Sequence, residues 1–310
     1  MAITRRELIS NITKAGVPAA VAMTVGAETL QAETEHIPVP GAAVGLLYDA
    51  SICIGCKACV AACAEANDTP PDTRGDALHQ SPWDLNDVTR NIIKLYKSED
   101  GSAYSYVKRQ CMQCLDPACA AGCPFEALHK EPESGIVTWT AEKCIGCRYC
   151  TITCPYHIPR FQWQGYNPRV TKCELCSHRL EKGLKPGCTN TCPTGAVIFG
   201  PRTVLLMDAK KRIKKNPGRY YQNRVYGETD GGGTQSLILS HVPFGKLGLP
   251  ELGPESVPAS SLRWQRRLYQ YFALPALLYV GLVQVIRKSA KGYEQEAHER
   301  EKETGLRAQL

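Results

Sequence analysis

The sequence CIGCRYCTITCP, residues 144–155, places four cysteines within eleven residues. Their spacing is C-x2-C-x2-C-x3-C, and a proline follows the last cysteine. Three thiols on one short loop stand too close together for an ordinary disulfide framework. The spacing predicts instead a set of thiolates that converge on a shared inorganic centre.

The same unit recurs along the chain, because its sixteen cysteines fall into four groups of four. The groups are Cys53, Cys56, Cys59 and Cys63; Cys111, Cys114, Cys119 and Cys123; Cys144, Cys147, Cys150 and Cys154; and Cys173, Cys176, Cys188 and Cys192. The first and third groups share one spacing. The second widens one gap to four residues, and the fourth widens it to eleven.

This spacing is typical of bacterial [4Fe–4S] ferredoxins, in which three cysteines bind one cluster and the fourth binds the neighbouring cluster. Gly55 and Gly146 allow the backbone to wrap closely around such a cluster. Since all sixteen positions are cysteine, we predict four [4Fe–4S] clusters with all sixteen residues as iron ligands. Zinc is the main alternative, although four-cysteine zinc sites use paired C-x2-C units at longer separations. Disulfides are the other alternative.

The N-terminus carries TRRELIS, residues 4–10, and a modestly apolar stretch follows at residues 12–27. This pattern predicts a twin-arginine export signal over residues 1–32. An amphipathic helix with a chance arginine pair is the alternative. Because the twin-arginine route is generally understood to export folded proteins, metal centres can be loaded before export.

Near the C-terminus, residues 268–286 form a 19-residue stretch without a charged side chain. That length fits a membrane-spanning helix, with a buried core helix as the alternative. Three basic residues flank each end of the stretch, so the positive-inside rule alone does not orient it. The export signal places the body outside and the tail, residues 287–310, in the cytoplasm.

Composition limits the remaining functions. The net charge is +7 and 43% of the residues are hydrophobic, as in a folded protein. The basic run KKRIKK, residues 210–215, is typical of a solvated helix face. No nucleic-acid-binding module accompanies it, so we expect no nucleic-acid partner. We also find no nucleophile paired with a base, so we expect no catalytic residue.

The predicted fold is α+β, with two bacterial-ferredoxin-like units in residues 45–205 and an extension and linker in residues 206–262. Strand patterns occupy residues 91–97, 104–110, 135–140 and 196–200, and the sequence SEDG, residues 98–101, predicts a hairpin turn between the first two. Residues 64–87 are expected to form a surface loop. Residues 227–235 are expected to form a flexible turn before a strand that begins at residue 236.

At its cysteine groups the chain resembles the four-cluster ferredoxin subunits of membrane-bound oxidoreductases. Among these it is most similar to the HybA-type subunits of periplasm-facing [NiFe] uptake hydrogenases. The resemblance runs through GLLYDASICIGCKACVAAC, QCMQCLDPACAAGCP, CIGCRYCTITCPY, KCELC, CPTGAVIFG and YGETDGGGTQSLILSHVP, and covers residues 45–243. The export signal and the C-terminal apolar stretch also match.

The resemblance implies nested units, in which the first cysteine group pairs with the fourth and the second with the third. The implied ligand sets are Cys53, Cys56, Cys59 and Cys192; Cys173, Cys176, Cys188 and Cys63; Cys144, Cys147, Cys150 and Cys123; and Cys111, Cys114, Cys119 and Cys154. The exchange of the fourth cysteine between neighbouring clusters follows from the ferredoxin spacing. The choice of which groups are neighbours follows from the resemblance.

The resemblance also implies a non-catalytic subunit that conducts electrons. Its partners would be the small and large subunits of a [NiFe] hydrogenase and a quinone-reacting membrane subunit of the HybB/NrfD type. It would lie at the periplasmic side of the cytoplasmic membrane, in contact with lipid. One alternative is the iron–sulfur subunit of a molybdopterin enzyme such as formate dehydrogenase. The other is a metal-stabilised structural or binding module without a redox role.

Overall fold

The computed structural model describes residues 41–70, 82–163, 169–259, 261, 277–292 and 295. The predicted export signal therefore lies outside the described residues, as do residues 268–276 of the predicted membrane span and most of the predicted tail. The sixteen cysteines all lie within the described part.

The described chain consists of short strands and helices between longer connections. The strands are β1 (Val44–Asp49), β2 (Asn91–Lys97), β3 (Tyr104–Gln110), β4 (Leu128–Lys130), β5 (Val137–Trp139), β6 (Arg160–Phe161), β7 (Val170–Thr171), β8 (Val197–Pro201) and β9 (Ser236–Leu239). The helices are α1 (Ala58–Ala66), α2 (Ala118–Ala121), α3 (Tyr149–Thr153), α4 (Ser177–Leu180), α5 (Gly187–Asn190) and α6 (Arg202–Lys215). Residues 277–292 are also helical.

A three-stranded sheet with the order β8-β1-β9 forms the centre of the fold. Strand β1 pairs antiparallel with β8 and parallel with β9. Successive side chains of a strand point to opposite faces. Leu46 accordingly packs into the core that contains the cysteines, whereas Leu47 packs against Leu205 and Ala209 of α6. The extension, residues 206–262, contributes β9 to this sheet.

The described chain also contains three antiparallel hairpins, formed by β2–β3, β4–β5 and β6–β7. The first has the limits expected from the sequence, and its predicted turn is closed by a hydrogen bond from the Ser98 N–H to the Ala103 carbonyl at 2.8 Å. Strand β5 is shorter than expected at both ends. The predicted mixture of strands and helices is confirmed.

Two expectations about connections were wrong. Helix α1 continues through Ala66, so the predicted surface loop does not begin at residue 64. The segment 227–235 is packed rather than flexible: Thr234 and Gln235 are fully buried. The Arg202 guanidinium holds the segment by donating to the carbonyl of Thr234 at 2.7 Å and to that of Glu228 at 3.1 Å.

Among the described residues, no helix is long and apolar enough to cross a membrane. The predicted span over residues 268–286 is only partly described. In the described part, residues 277–286 are helical, and Leu277 and Tyr279 are largely exposed. The membrane span therefore stays a prediction.

Candidate iron–sulfur centres

The four cysteine loops share a positive φ at one position. In each group, the residue immediately before the second cysteine has a positive φ, namely Gly55 (69°), Gln113 (53°), Gly146 (72°) and Leu175 (50°). Glycine adopts this conformation freely, whereas other residues are strained in it. Glycine in the sequence indicates this conformation at residues 55 and 146. Gln113 and Leu175 adopt it too, although neither residue type indicates it. Both are almost fully buried, so packing holds their strained backbone.

The loops bring the cysteines together in four sets, which we number as sites 1 to 4. Site 1 contains Cys53, Cys56, Cys59 and Cys192; site 2 contains Cys63, Cys173, Cys176 and Cys188; site 3 contains Cys111, Cys114, Cys119 and Cys154; site 4 contains Cys123, Cys144, Cys147 and Cys150. Each set combines three cysteines of one sequence group with the last cysteine of another.

Sites 1 and 4 are cavities open to solvent. All four cysteines of site 1 line a cavity of about 310 Å³, together with Tyr48 and Lys57. All four cysteines of site 4 line a cavity of about 360 Å³, together with Lys143 and Arg148. Each cavity therefore has four thiols in its lining.

Sites 2 and 3 lie deeper in the protein, and their thiols act on each other electrostatically. Burial and the neighbouring Cys63 and Cys188 raise the pKa of Cys173 well above its ordinary value. Burial and the neighbouring Cys111, Cys119 and Cys154 do the same to the pKa of Cys114. These neighbours belong to sites 2 and 3 respectively.

Neighbouring sites are arranged in a row. Apart from burial, the pKa of Cys188 in site 2 is raised in part by Cys59 in site 1. That of Cys173 in site 2 is raised in part by Cys111 in site 3. That of Cys119 in site 3 is raised in part by Cys150 in site 4. The order in space is therefore 1-2-3-4.

Two close helix pairs explain the exchange of the fourth cysteine. Helix α1 packs against α5, and α2 packs against α3. A glycine stands at each contact: a Cβ at Gly187 would lie 2.7 Å from the Ala62 carbonyl oxygen, and one at Gly122 would lie 2.7 Å from the Thr153 methyl group. This close packing places the last cysteine of each paired group beside the loop of the other group.

The chemistry of these thiols suits iron–sulfur clusters. Burial first, and neighbouring cysteines second, raise the pKa of Cys119 to about 12 and that of Cys150 to about 11. Without a cation such thiols stay protonated at neutral pH, and binding of iron displaces the protons. Within the described residues, no three His, Cys, Asp or Glu side chains converge on a single metal ion. The residues fit the cluster, which when bound would supply a one-electron carrier.

Cations lie both at the rims of the outer sites and in the interior. Lys57, Lys143 and Arg148 line the outer cavities, and Arg148 stacks on Trp163 with its guanidinium carbon 3.9 Å from the ring centroid. Sequence reasoning missed Lys108 and Lys172, which are almost fully buried between the sites. The only sequence signal is their position: Lys108 lies three residues before Cys111, and Lys172 lies directly before Cys173.

The pKa of Lys108 reports its surroundings. Burial lowers that pKa, but the neighbouring cysteines Cys59, Cys188 and Cys63 together outweigh burial and raise it above its ordinary value. The ammonium group in turn lowers the pKa of Cys63 and Cys188 relative to what burial alone would give. Lys108 thus belongs electrostatically to the cysteine sites.

Two family models, each described as a 4Fe-4S dicluster domain, match residues 52–127 and residues 102–202. They define the chain as a ferredoxin-like protein that binds [4Fe–4S] clusters, which sets aside the zinc and disulfide alternatives. The matches follow the chain and overlap at the second cysteine group, whereas the sites in space pair the first group with the fourth.

Similar proteins define the family more closely. The chain is 38% identical to the hydrogenase-2 operon protein HybA of Escherichia coli O157:H7, a match that covers 82% of this chain and 87% of that protein. It is 37% identical to the iron–sulfur subunit of the nitrate-inducible formate dehydrogenase of Escherichia coli strain K12, over 68% of this chain and 73% of that one. A formate dehydrogenase iron–sulfur subunit of Haemophilus influenzae is 35% identical, over 67% and 69%.

The chain belongs to the HybA family of four-cysteine-group iron–sulfur proteins. It is an electron-transfer subunit of an oxidoreductase complex and not a catalytic subunit. The expectation of an iron–sulfur electron carrier is confirmed, and a purely structural role for the metal sites is set aside.

Proposed function

We propose that the chain conducts electrons between a periplasmic [NiFe] hydrogenase, with its small and large subunits, and a quinone-reacting integral membrane subunit. Four [4Fe–4S] clusters bound at sites 1 to 4 form the path. The observation that supports this most is the row of four-cysteine sites with its two ends open to solvent. Cys56 in site 1 and Cys147 in site 4 are exposed, while the cysteines of site 2 are all buried.

The position of the exposed ends supports conduction rather than storage. An electron can enter or leave efficiently only where a partner's cofactor can approach a cluster. Sites 1 and 4 meet this condition, and sites 2 and 3 connect them. Ile145, which lines the cavity of site 4, is 61% exposed, and Ile152 on α3 is 74% exposed. Such exposed apolar side chains suit contact with another subunit.

The choice of a hydrogenase rests on the relatives. The match to a protein of a hydrogenase-2 operon covers more of both chains than the match to formate dehydrogenase subunits does. The similarity to those subunits supports a second candidate, in which the same row of sites serves a molybdopterin enzyme such as formate dehydrogenase.

Copurification tests the partner. The full chain carries a C-terminal tag, membranes are extracted anaerobically, and copurifying proteins are identified by mass spectrometry. We expect the small and large subunits of a nickel hydrogenase and a multi-helix membrane protein. Recovery of a molybdopterin subunit in their place would contradict the hydrogenase proposal and support the second candidate.

We further propose that residues 1–32 direct export by the twin-arginine route. Residues 268–286 then anchor the chain in the cytoplasmic membrane, with the body on the periplasmic side and residues 287–310 in the cytoplasm. The paired arginines in TRRELIS and the uncharged 19-residue stretch support this placement.

Replacing Arg5 and Arg6 together by lysine is expected to abolish export, because twin-arginine signals are recognised by the arginine pair and not by its charge. Protease treatment of spheroplasts should then degrade the cysteine domain of the parent chain but spare that of the variant. The matched control replaces Lys14 by arginine, which leaves the arginine pair intact. Equal protease sensitivity in all three chains would contradict the proposed signal.

A further inference from the structure

Two lysine side chains lie inside the cysteine domain. Lys108 on β3 is 2% exposed, and Lys172, next to Cys173, is 1% exposed. Burial of an ammonium group is costly unless nearby groups balance its charge and accept its hydrogen bonds. The groups around each lysine therefore indicate which negative charges its ammonium group balances.

Lys108 lies between sites 1 and 2. Its Nζ donates to the Asn91 Oδ1 at 2.8 Å, and the Asn91 amide donates to the Cys59 carbonyl of site 1 at 3.3 Å. In the part of the chain that the structure describes, no carboxylate lies within 4.0 Å of this ammonium group. Cys59 of site 1 and Cys63 of site 2 lie one turn apart on α1, so Lys108 stands beside the cysteine ligands of both sites.

Lys172 lies between sites 2 and 3. Its Nζ donates to the Val137 carbonyl and, at 3.5 Å, to the Cys173 carbonyl of site 2. Val137, whose carbonyl accepts this hydrogen bond, packs in the same core cluster as Cys119 of site 3. Glu174 stands 3.9 Å away and is 22% exposed, so it balances the charge only in part.

We propose that Lys108 and Lys172 tune the internal clusters: Lys108 raises the reduction potentials of the clusters at sites 1 and 2, and Lys172 raises those at sites 2 and 3. Reduction adds one electron to a cluster that already has anionic ligands. A fixed positive charge in a poorly polarisable interior favours the state with the extra electron. The inference rests on the four-cluster assignment proposed above.

The two lysines give a pattern that identifies each site. Site 2 lies beside both lysines, sites 1 and 3 lie beside one each, and site 4 lies beside neither. Removing the two charges separately should therefore change two overlapping pairs of clusters. A general loss of stability would produce no such pattern.

The test replaces Lys108 or Lys172 by methionine in the full chain and follows an anaerobic redox titration by electron paramagnetic resonance. We expect two of the four clusters to shift to lower potential in Lys108→Met and two in Lys172→Met. One cluster should shift in both variants and one in neither. Lys97→Met is the matched control, because it removes an exposed lysine from the same hairpin as Lys108.

Two conservative variants keep the test decisive if a methionine variant fails to assemble. Asn91→Asp places a carboxylate beside Lys108 without a change of shape and should lower the potentials of sites 1 and 2. Glu174→Gln removes the carboxylate beside Lys172 and should raise those of sites 2 and 3. Opposite signs in these two variants are expected only if charge is the cause.

Iron content distinguishes failure of the four-cluster assignment from failure of the tuning role. If the parent chain holds fewer than four clusters, the proposed assignment falls. If it holds four, and a fully loaded Lys108→Met or Lys172→Met variant shows no shift beyond that of Lys97→Met, the tuning role is overturned. A uniform shift of all four clusters would also overturn it.

Discussion

Replacing Cys192 by serine is expected to remove the same cluster as replacing Cys56, although the two residues are far apart in the sequence. The reason is that both line the cavity of site 1. Serine is a poor ligand for iron, so the iron content should fall by about one quarter. The remaining three clusters should keep their spectra.

The surroundings of the Cys192 thiol favour its role as an iron ligand. Burial raises its pKa, but hydrogen bonds from the Val197 N–H and the Thr194 hydroxyl outweigh burial and lower that pKa overall. The residue is therefore more easily deprotonated than Cys63, Cys173 and Cys188 of site 2, whose pKa values are raised by burial.

The matched comparison is Cys176→Ser, which removes a ligand from site 2. Cys176 belongs to the same sequence group as Cys192. If ligands followed the sequence groups, the two variants would lose the same cluster. We expect different spectra, measured by electron paramagnetic resonance with iron analysis. Identical losses in Cys192→Ser and Cys176→Ser would contradict the exchange of the fourth cysteine.

Much of the cysteine chemistry could be predicted from the sequence. The spacing depends on local geometry, because a short loop either can or cannot present three thiols to one cluster. Strands β2 and β3 were equally accessible, since alternating residues and a turn signal define a hairpin locally. These features need no knowledge of distant contacts.

Other features depend on contacts that the sequence does not reveal. Gln113 adopts a backbone conformation typical of glycine because its side chain is fixed by tertiary contacts: it donates to the Cys173 carbonyl at 2.7 Å and accepts from the Val137 N–H at 2.7 Å. The packing of residues 227–235 depends on Arg202, which precedes them by some distance in the chain. Lysine is usually exposed, so the burial of Lys108 and Lys172 could be predicted only by knowing that anionic cysteine ligands lie around them.

The second large effect is expected for Gly187→Val, at the contact between α1 and α5. A Cβ at residue 187 would lie 2.7 Å from the Ala62 carbonyl oxygen and 3.1 Å from the Ala66 Cβ. Backbone atoms cannot turn aside as a side chain can, so the helices must move apart. Overpacking of this kind costs about 1–3 kcal/mol. The movement would also displace Cys63 and Cys188 of site 2.

We therefore expect Gly187→Val to lose iron from sites 1 and 2 together and to retain sites 3 and 4, measured by iron analysis and resonance spectra of the purified chain. Gly253→Val is the control, because a Cβ there meets nothing within 4 Å. Gly122→Ala should act on sites 3 and 4 and more weakly, since its nearest neighbour is the Thr153 side chain, which can rotate.

The pair of clusters lost in Gly187→Val distinguishes nested from consecutive units. In consecutive units the fourth cysteine group would share a unit with the third, and a change at residue 187 would damage the cluster of Cys144, Cys147 and Cys150. In nested units that cluster survives, because α5 packs against α1, which carries Cys59 and Cys63. Loss of the site 4 cluster with retention of site 1 would therefore contradict the nested arrangement, and with it the order in which electrons pass along the row.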